Sequence, residues 1–465
     1  MKPLNLLVLA FAACSLFADA ACDAATPQKP NIVYILADDL GWKDVGFNGS
    51  DIRTPNIDRL AATGARFDQF YAQPMCTPTR ASIMTGRYPF RYGLQTAVIL
   101  GSHTYGLPTD EWLLPQALKQ SGYTTAIIGK WHLGHADQKY WPRQRGFDYQ
   151  YGPMIGEIDY FTHESGGVND WYRDNQPLEE EGYSTTLFGD DAVRLIEKHD
   201  AGAPLFLYLA FNAPHSPYQV PDEYRDRFKD IEDPTRRSYA GMISAMDDQV
   251  GRVVRALEAR NMRENTLIIF HSDNGGVRNA MFAGEADVSK SKIPCDNGPY
   301  RDGKGAIYEG GTRVCGLINW PGHIPAGTIT GMVHTVDMYP TLVRVAGGST
   351  AEAKPLDGTD IWPALSQGTT TPRSEVVYNL EPFRAGVRQG DWKLVWRTPL
   401  PSSPELYNIA QDPYEKQNLA AQHPDIVATL QKRANALGAT MAKPMFLETE
   451  FKALRERVTL PPALP

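Results

Sequence analysis

Asn31-Ile-Val-Tyr-Ile-Leu-Ala37, with Asp38 and Asp39 directly after it, is the stretch that sets the architecture. A short, uncharged apolar run without polar alternation reads as a strand buried on both faces, as in parallel sheets. The two carboxylates stand where that strand ends. Ligands of open α/β sheets bind beyond the carboxyl ends of the strands. The stretch that predicts the sheet therefore also predicts where its chemistry sits.

Outward from it, helix and strand alternate. Pro55 to Ala62 reads as a helix with Thr54 as cap and Gly64 as stop. A helix from Trp112 to Gln120 stops at Gly122, before a strand from Tyr123 to Ile128. Thr185 to His199 is helical and precedes the strand Pro204 to Phe211; Tyr239 to Arg260 precedes Thr266 to His271. A strand from Val314 to Trp320 and a helix from Met338 to Ala346 complete the series. This pattern predicts an α/β fold, a large mixed, mostly parallel sheet sandwiched by helices.

Polar Gly/Ser/Thr-rich stretches at Gly347 to Lys354 and Ser366 to Pro372 mark a boundary. The expected organisation is a catalytic domain over 30–346, a connecting region over 347–372 and a smaller C-terminal α+β subdomain over 373–465. In the last, Gly386 to Trp396 reads as a hairpin turning at Gly390-Asp391. Glu405 to Ile409 adds a strand to an antiparallel sheet, and Pro424 to Ala436 forms a terminal helix.

The 465 residues carry a net charge of -8 and are 42% hydrophobic, ample for a large core. No basic stripe marks a nucleic-acid partner. Residues 1–21 read as a signal peptide: Lys2, an apolar stretch from Leu4 to Phe17, and a cleavage site at Ala18-Asp19-Ala20. No other segment is long and apolar enough to span a bilayer. The expectation is an exported protein, periplasmic or secreted, with no transmembrane segment when mature. Five cysteines exclude a disulfide framework. Cys295 and Cys315 are either one bridge or two buried thiols.

Four strand ends carry candidate residues: Asp38 and Asp39, His132, His215, and Asp273 with Asn274. Asp38, Asp39, Asp273 and Asn274 offer only oxygen, which suits a hard cation, Ca²⁺ ahead of Mg²⁺, and disfavours zinc. Arg80, Lys130 and Lys304 are the candidate cations for an anionic ester. His132 and His215 are the acid–base candidates. His103, His135, His199, His323 and His423 read as packed or solvated, His271 and His334 as structural, and His163 stays open. Cys76 lies in QPMCTPTRASIMTGRYPFRYG, where Thr77 as cap and Pro78 at the first helical position put it at a helix N-terminus that favours an anion.

Cys76-Thr77-Pro78-Thr79-Arg80 resembles the maturation signature of type I sulfatases. With it run LADDLGWKDVGFNGS, RTPNIDRLA, LPQALKQSGYTTAIIGKWHLG, PLFLYLAFNAPH, FHSDNGG, GKGAIYEGGTR and ELYNIAQDPYEKQNLA, in order from about residue 31 to about residue 420. On these motifs the chain is identified as a member of the type I sulfatases of the alkaline-phosphatase-like superfamily, closest to the arylsulfatase B group, the N-acetylgalactosamine-4-sulfatases. The resemblance implies that a maturation enzyme oxidises Cys76 to formylglycine. It also implies a calcium site of Asp38, Asp39, residue 76 (from Cys76), Asp273 and Asn274. Arg80 then supports the hydrated aldehyde, and Lys130 flanks it. His132 is the base that releases sulfate, and His215 and Lys304 bind sulfate and protonate the leaving alcohol. The implied reaction is covalent: one gem-diol oxygen attacks sulfur, and the other later expels sulfate.

Tyr160, His163 and Glu164 in IDYFTHES are similar to the arylsulfatase B group and imply a sulfated sugar, with N-acetylgalactosamine-4-sulfate as first candidate. Cys315 stands where many relatives have proline, which implies a packing difference. Residues 97–108 and 277–297 follow no pattern. The alternatives are a phosphonate monoester or phosphodiester hydrolase of the same superfamily, and an inactive sulfatase-like glycan-binding protein.

Overall fold

The computed structural model describes residues 29–282, 292–397 and 403–457. The signal-peptide reading of residues 1–21, with Cys14, and the neighbouring Cys22 lie outside the described residues.

Asn31–Ala37 is a strand, and all seven of its residues are buried. It is paired in parallel with Thr266–Ser272 on one side and Leu205–Ala210 on the other. Thr124–Gly129 and Tyr149–Gly152 continue the sheet in parallel beyond Leu205–Ala210. On the far side the sheet turns mixed. Gly316–Asn319 pairs antiparallel with Thr266–Ser272 and with Ala65–Tyr71, which in turn pairs in parallel with Gly327–His334.

Alternate residues of the first strand feed opposite cores, as a period of two dictates. Val33, Ile35 and Ala37 pack with the helices Ser184–Lys198 and Pro234–Ala259. Ile32, Tyr34 and Leu36 pack with Cys76–Thr85, Leu114–Gln120 and Met338–Val345. Helices thus cover both faces of a mixed, mostly parallel sheet.

A second, antiparallel sheet of four strands orders Glu375–Glu381, Arg384–Gln389, Trp392–Arg397 and Glu405–Asn408. Helix Pro424–Gly438 packs on it through Val427, Leu430, Ala434 and Leu437. The hairpin turn falls at Gly390, where φ is +54°.

Several local expectations need correction. The strand expected from Val314 to Trp320 is broken into Arg313–Val314 and Gly316–Asn319, with Cys315 between them. The 347–372 segment carries a helix, Trp362–Gln367, and buries Ile361 and Leu365 in the main core. Pro424–Gly438 is not terminal, because Met445–Arg457 follows it. Cys295 and Cys315 are buried free thiols.

Candidate active site

Cys76 is the first residue of helix Cys76–Thr85, and every residue of that helix is buried. Met75 is the cap position, not Thr77. The Thr77 hydroxyl donates instead to the His132 carbonyl at 3.0 Å and accepts the Ile99 N–H at 3.2 Å. It ties the helix start to the loops around the site.

The strand ends converge as the sequence predicts. The Cys76 thiol lies 3.4 Å from Asp38 Oδ1, and Lys130 Nζ donates to Asp38 Oδ2. Arg80 donates to Asp273 Oδ2 from Nε and Nη2 at 3.2 and 2.9 Å. Its Nη2 is 3.6 Å from Asp38 Oδ2. Lys304 Nζ donates to Asp39 Oδ2 at 2.7 Å and to His215 Nε2 at 3.0 Å. Asn274 Nδ2 donates to Asp39 Oδ1 at 2.7 Å. Three carboxylates thus face three cations in a buried cluster.

Burial opposes ionisation of Asp38, but Lys130, His215, Arg80 and Lys304 more than offset it and hold its carboxyl far below the usual range. Asp273 goes the other way: burial and the neighbouring Asp38 charge push it up. Burial would lower Lys304, yet Asp39 and its neighbours hold it above an ordinary lysine. Burial, then Asp273 and Asp38, push the Cys76 thiol well above its ordinary value.

This donor set fits a hard divalent cation. Ligand atoms of Asp38, Asp39, Cys76 and His215 lie within 4.8 Å of one another. Asn274 Oδ1 is buried with no hydrogen-bond partner, which is costly for an amide oxygen unless a cation takes it. A cation would also relieve the repulsion that raises Asp273. The oxygen donors match calcium or magnesium.

Gly129, at the end of its strand, has φ +107°, and a Cβ there would lie 1.9 Å from the Ala210 carbonyl oxygen. That turn delivers Lys130 and His132 into the site. His132 Nε2 sits 3.0 Å from the Ile99 carbonyl oxygen, which can only accept, so the proton is on Nε2. Nδ1 is then a lone pair, buried without a partner. Burial, Lys130 and Arg80 hold the ring's pKa well below that of free histidine. Gly156 packs against the ring so closely that a Cβ would meet it at 2.4 Å. His215 Nδ1 donates to the Ser216 carbonyl at 2.6 Å, leaving Nε2 to accept from Lys304. The Tyr160 hydroxyl lies 2.7 and 2.8 Å from the carbonyl oxygens of Asn212 and His215 and fixes that loop.

A cavity of about 580 Å³ opens over this floor. Cys76, Lys130, His132, His215 and Lys304 line it, with Ile99, Leu100, Ile155, Met281 and Phe446 among its apolar walls. His163 is not part of it. Its ring stacks on Trp171 at 4.1 Å and bonds to the Gly182 carbonyl at 3.1 Å, so it is structural. Glu164 is exposed in a short hairpin. His271 and His334 are buried structural residues, as the sequence predicts. Sequence reasoning missed Gly156 and the Ile99 carbonyl, since a close approach and a backbone acceptor leave no residue-type signal.

A sulfatase family model matches residues 30–348. The chain belongs to the sulfatase family. A second model, the C-terminal region of N-sulphoglucosamine sulphohydrolase, matches residues 300–440. Arylsulfatase J of Mus musculus is 35% identical over 90% of this chain and 77% of its own length. The N-acetylgalactosamine-6-sulfatase of the same species is 35% identical over 76% of this chain and 70% of its own. The solved structure of Ps i-CgsB in complex with k-i-k-neocarrahexaose superposes with a TM-score of 0.82. It is 33% identical, and the match covers 93% of this chain and 98% of that one. This sulfatase has no helix, among the described residues, long and apolar enough to cross a membrane.

Proposed function

We propose that this sulfatase hydrolyses a sulfate ester of a sulfated carbohydrate, using formylglycine made from Cys76 and a calcium ion held by Asp38, Asp39, Asp273 and Asn274. The observation that carries the reading is the Cys76 thiol in the charged floor of the cavity, 3.4 Å from Asp38 Oδ1. An unmodified thiol there stays protonated at neutral pH, because burial and two acids oppose the thiolate. A protonated thiol is a poor nucleophile, which supports conversion by a formylglycine-generating maturation enzyme.

When present, formylglycine supplies a gem-diol nucleophile and calcium offsets the charge on the sulfate oxygens. Lys130 and Lys304 present ammonium groups to the same oxygens. Arg80 holds Asp273 and the Lys130 carbonyl, so it sets the floor that residue 76 rests on. Lys304 and His215 share a proton across 3.0 Å and deliver it to the leaving alcohol. His132, neutral with a free Nδ1 lone pair, accepts the proton that must leave before sulfate departs.

A relative named N-acetylgalactosamine-6-sulfatase supports a sulfated sugar, and N-acetylgalactosamine sulfate of chondroitin or dermatan type is the leading candidate; the 4-sulfate is the choice that the sequence motifs imply, and the 6-sulfate the one that this relative's name favours. The same reading divides the chain into a leader for export over 1–21, a catalytic domain over 30–346, a segment over 347–372 that packs Ile361 and Leu365 into the main core, and a C-terminal subdomain over 373–465. The test is sulfate release by matured protein from sulfated oligosaccharides and an aryl sulfate, beside a phosphonate monoester. Release that Cys76→Ala abolishes supports the reading. Faster turnover of the phosphonate moves the chain to the phosphonate monoester hydrolases.

A further inference from the structure

Arg384 and Arg397 face each other as register partners across the hairpin of the C-terminal sheet. Like charges placed directly opposite destabilise a strand pair, so this pair needs a reason. Each guanidinium is braced: Arg384 by Glu381, Arg397 by Glu405 at 2.8 Å. Arg384 also donates to the carbonyl of Gly305, the residue after Lys304, which pins the hairpin to the catalytic loop. Glu405 is shared further, with the Tyr308 hydroxyl at 2.9 Å and with Arg301 at 3.3 Å. Its charge is therefore divided among several donors.

Both arginines line a cavity of about 280 Å³, together with Lys304, Asn279, Tyr308 and Asp302. Three cations and one carboxylate border it. The cavity shares Lys304 and Phe282 with the catalytic cavity. In the catalytic floor Arg80, Lys130 and Lys304 are matched by Asp38, Asp39 and Asp273. Arg384 and Arg397 stand next door, each already holding one carboxylate, on side chains 23% and 46% exposed.

We propose that the Arg384–Arg397 pair is a second anion subsite, which binds a carboxylate or a further sulfate on the substrate beside the ester being cleaved. The substrate class is then a polyanionic glycan, not an isolated monosulfated sugar. The guanidinium fork can donate two N–H bonds at once to a pair of oxygens of a carboxylate or of a sulfate. The proposal rests on the sulfatase reading above.

The test compares kcat/KM of the matured wild type, Arg397→Gln and Arg397→Lys on four substrates. One is an aryl sulfate. The other three are oligosaccharides with the same scissile sulfate and a neutral, a uronate or a second sulfated neighbour. Arg397→Gln should lose about tenfold or more, through KM, on the neighbour that the subsite binds. It should match wild type on the aryl sulfate and the neutral oligosaccharide, and Arg397→Lys should recover part of the loss. The responding neighbour, uronate or sulfate, identifies the anion. Equal loss on all four substrates, or none on any, overturns the subsite. A wild type that turns over no sulfate ester overturns the sulfatase reading itself.

Discussion

Asn274 Nδ2 donates to Asp39 Oδ1 at 2.7 Å, and that bond orients the amide so that its Oδ1 is buried with no partner. Two side chains from different strand ends thereby fix each other, and the amide oxygen is left buried and unpartnered beside the acidic cluster's strand end.

The first prediction follows from that oxygen. A chelator should lower the melting temperature and abolish turnover, and calcium should restore both. A ligand present at a hundred times its Kd stabilises by about 2.7 kcal/mol, a shift that scanning fluorimetry resolves. A melting temperature indifferent to chelator and calcium would remove the assigned ligands.

Gly156→Ala should lower kcat by about 10²-fold, the usual cost of a 1 Å misplacement in an active site. The added Cβ would meet the His132 ring at 2.4 Å and force it to move. Thermal unfolding should change little, because Gly156 lies at the cavity wall and not in the main core. Unchanged kcat in the variant would mean that the position of His132 is unimportant.

His271 sets a pH dependence of stability. Burial lowers its pKa from 6.5 to about 4. Nδ1 donates to the Ser272 carbonyl at 2.7 Å, and Nε2 accepts from the Tyr34 hydroxyl at 2.7 Å. The unfolded chain thus binds this proton more readily than the folded one, so the contribution is complete above about pH 6.5 and is lost toward pH 4. The loss is on the order of 3 kcal/mol. Urea midpoints of wild type and His271→Gln should converge as the pH falls from 7 to 4.5. Parallel curves would contradict the assignment.

Lys393, in the C-terminal sheet, ties that sheet to helix Glu309–Thr312. Its Nζ lies 2.9 Å from both Glu309 Oε1 and Glu415 Oε1, and it stands 3.7 Å over the Tyr378 ring. Lys393→Met leaves two buried carboxylates without their cation, which should cost about 3–5 kcal/mol of unfolding free energy. Adding Glu309→Gln and Glu415→Gln should recover much of it. A loss below about 1 kcal/mol in the single variant, as for a surface pair, would contradict the buried network.

The strand 31–37 and its acidic end were legible because burial on both faces leaves an apolar run and chemistry sits at the strand's end. The ten candidate residues were legible because strand ends and motifs marked them. Ala65–Tyr71 was not legible: Arg66, Asp68 and Gln69 interrupt its apolar pattern, and its partners come from distant segments. Gly327–His334 is hidden the same way, by a register shift between Ile329 and Met332. Lys393 in a strand reads as a surface charge, and its partners Glu309, Glu415 and Tyr378 lie outside its own strand. Thr77 read as a cap because its local sequence fits one, yet the loops at Ile99 and His132 claim its hydroxyl.

The most direct test of the account is the mass of the peptide containing residue 76, taken from protein that releases sulfate. The account predicts the mass of an aldehyde in place of the thiol, in proportion to the specific activity of each preparation. Full activity in protein whose residue 76 is entirely unmodified cysteine would contradict it.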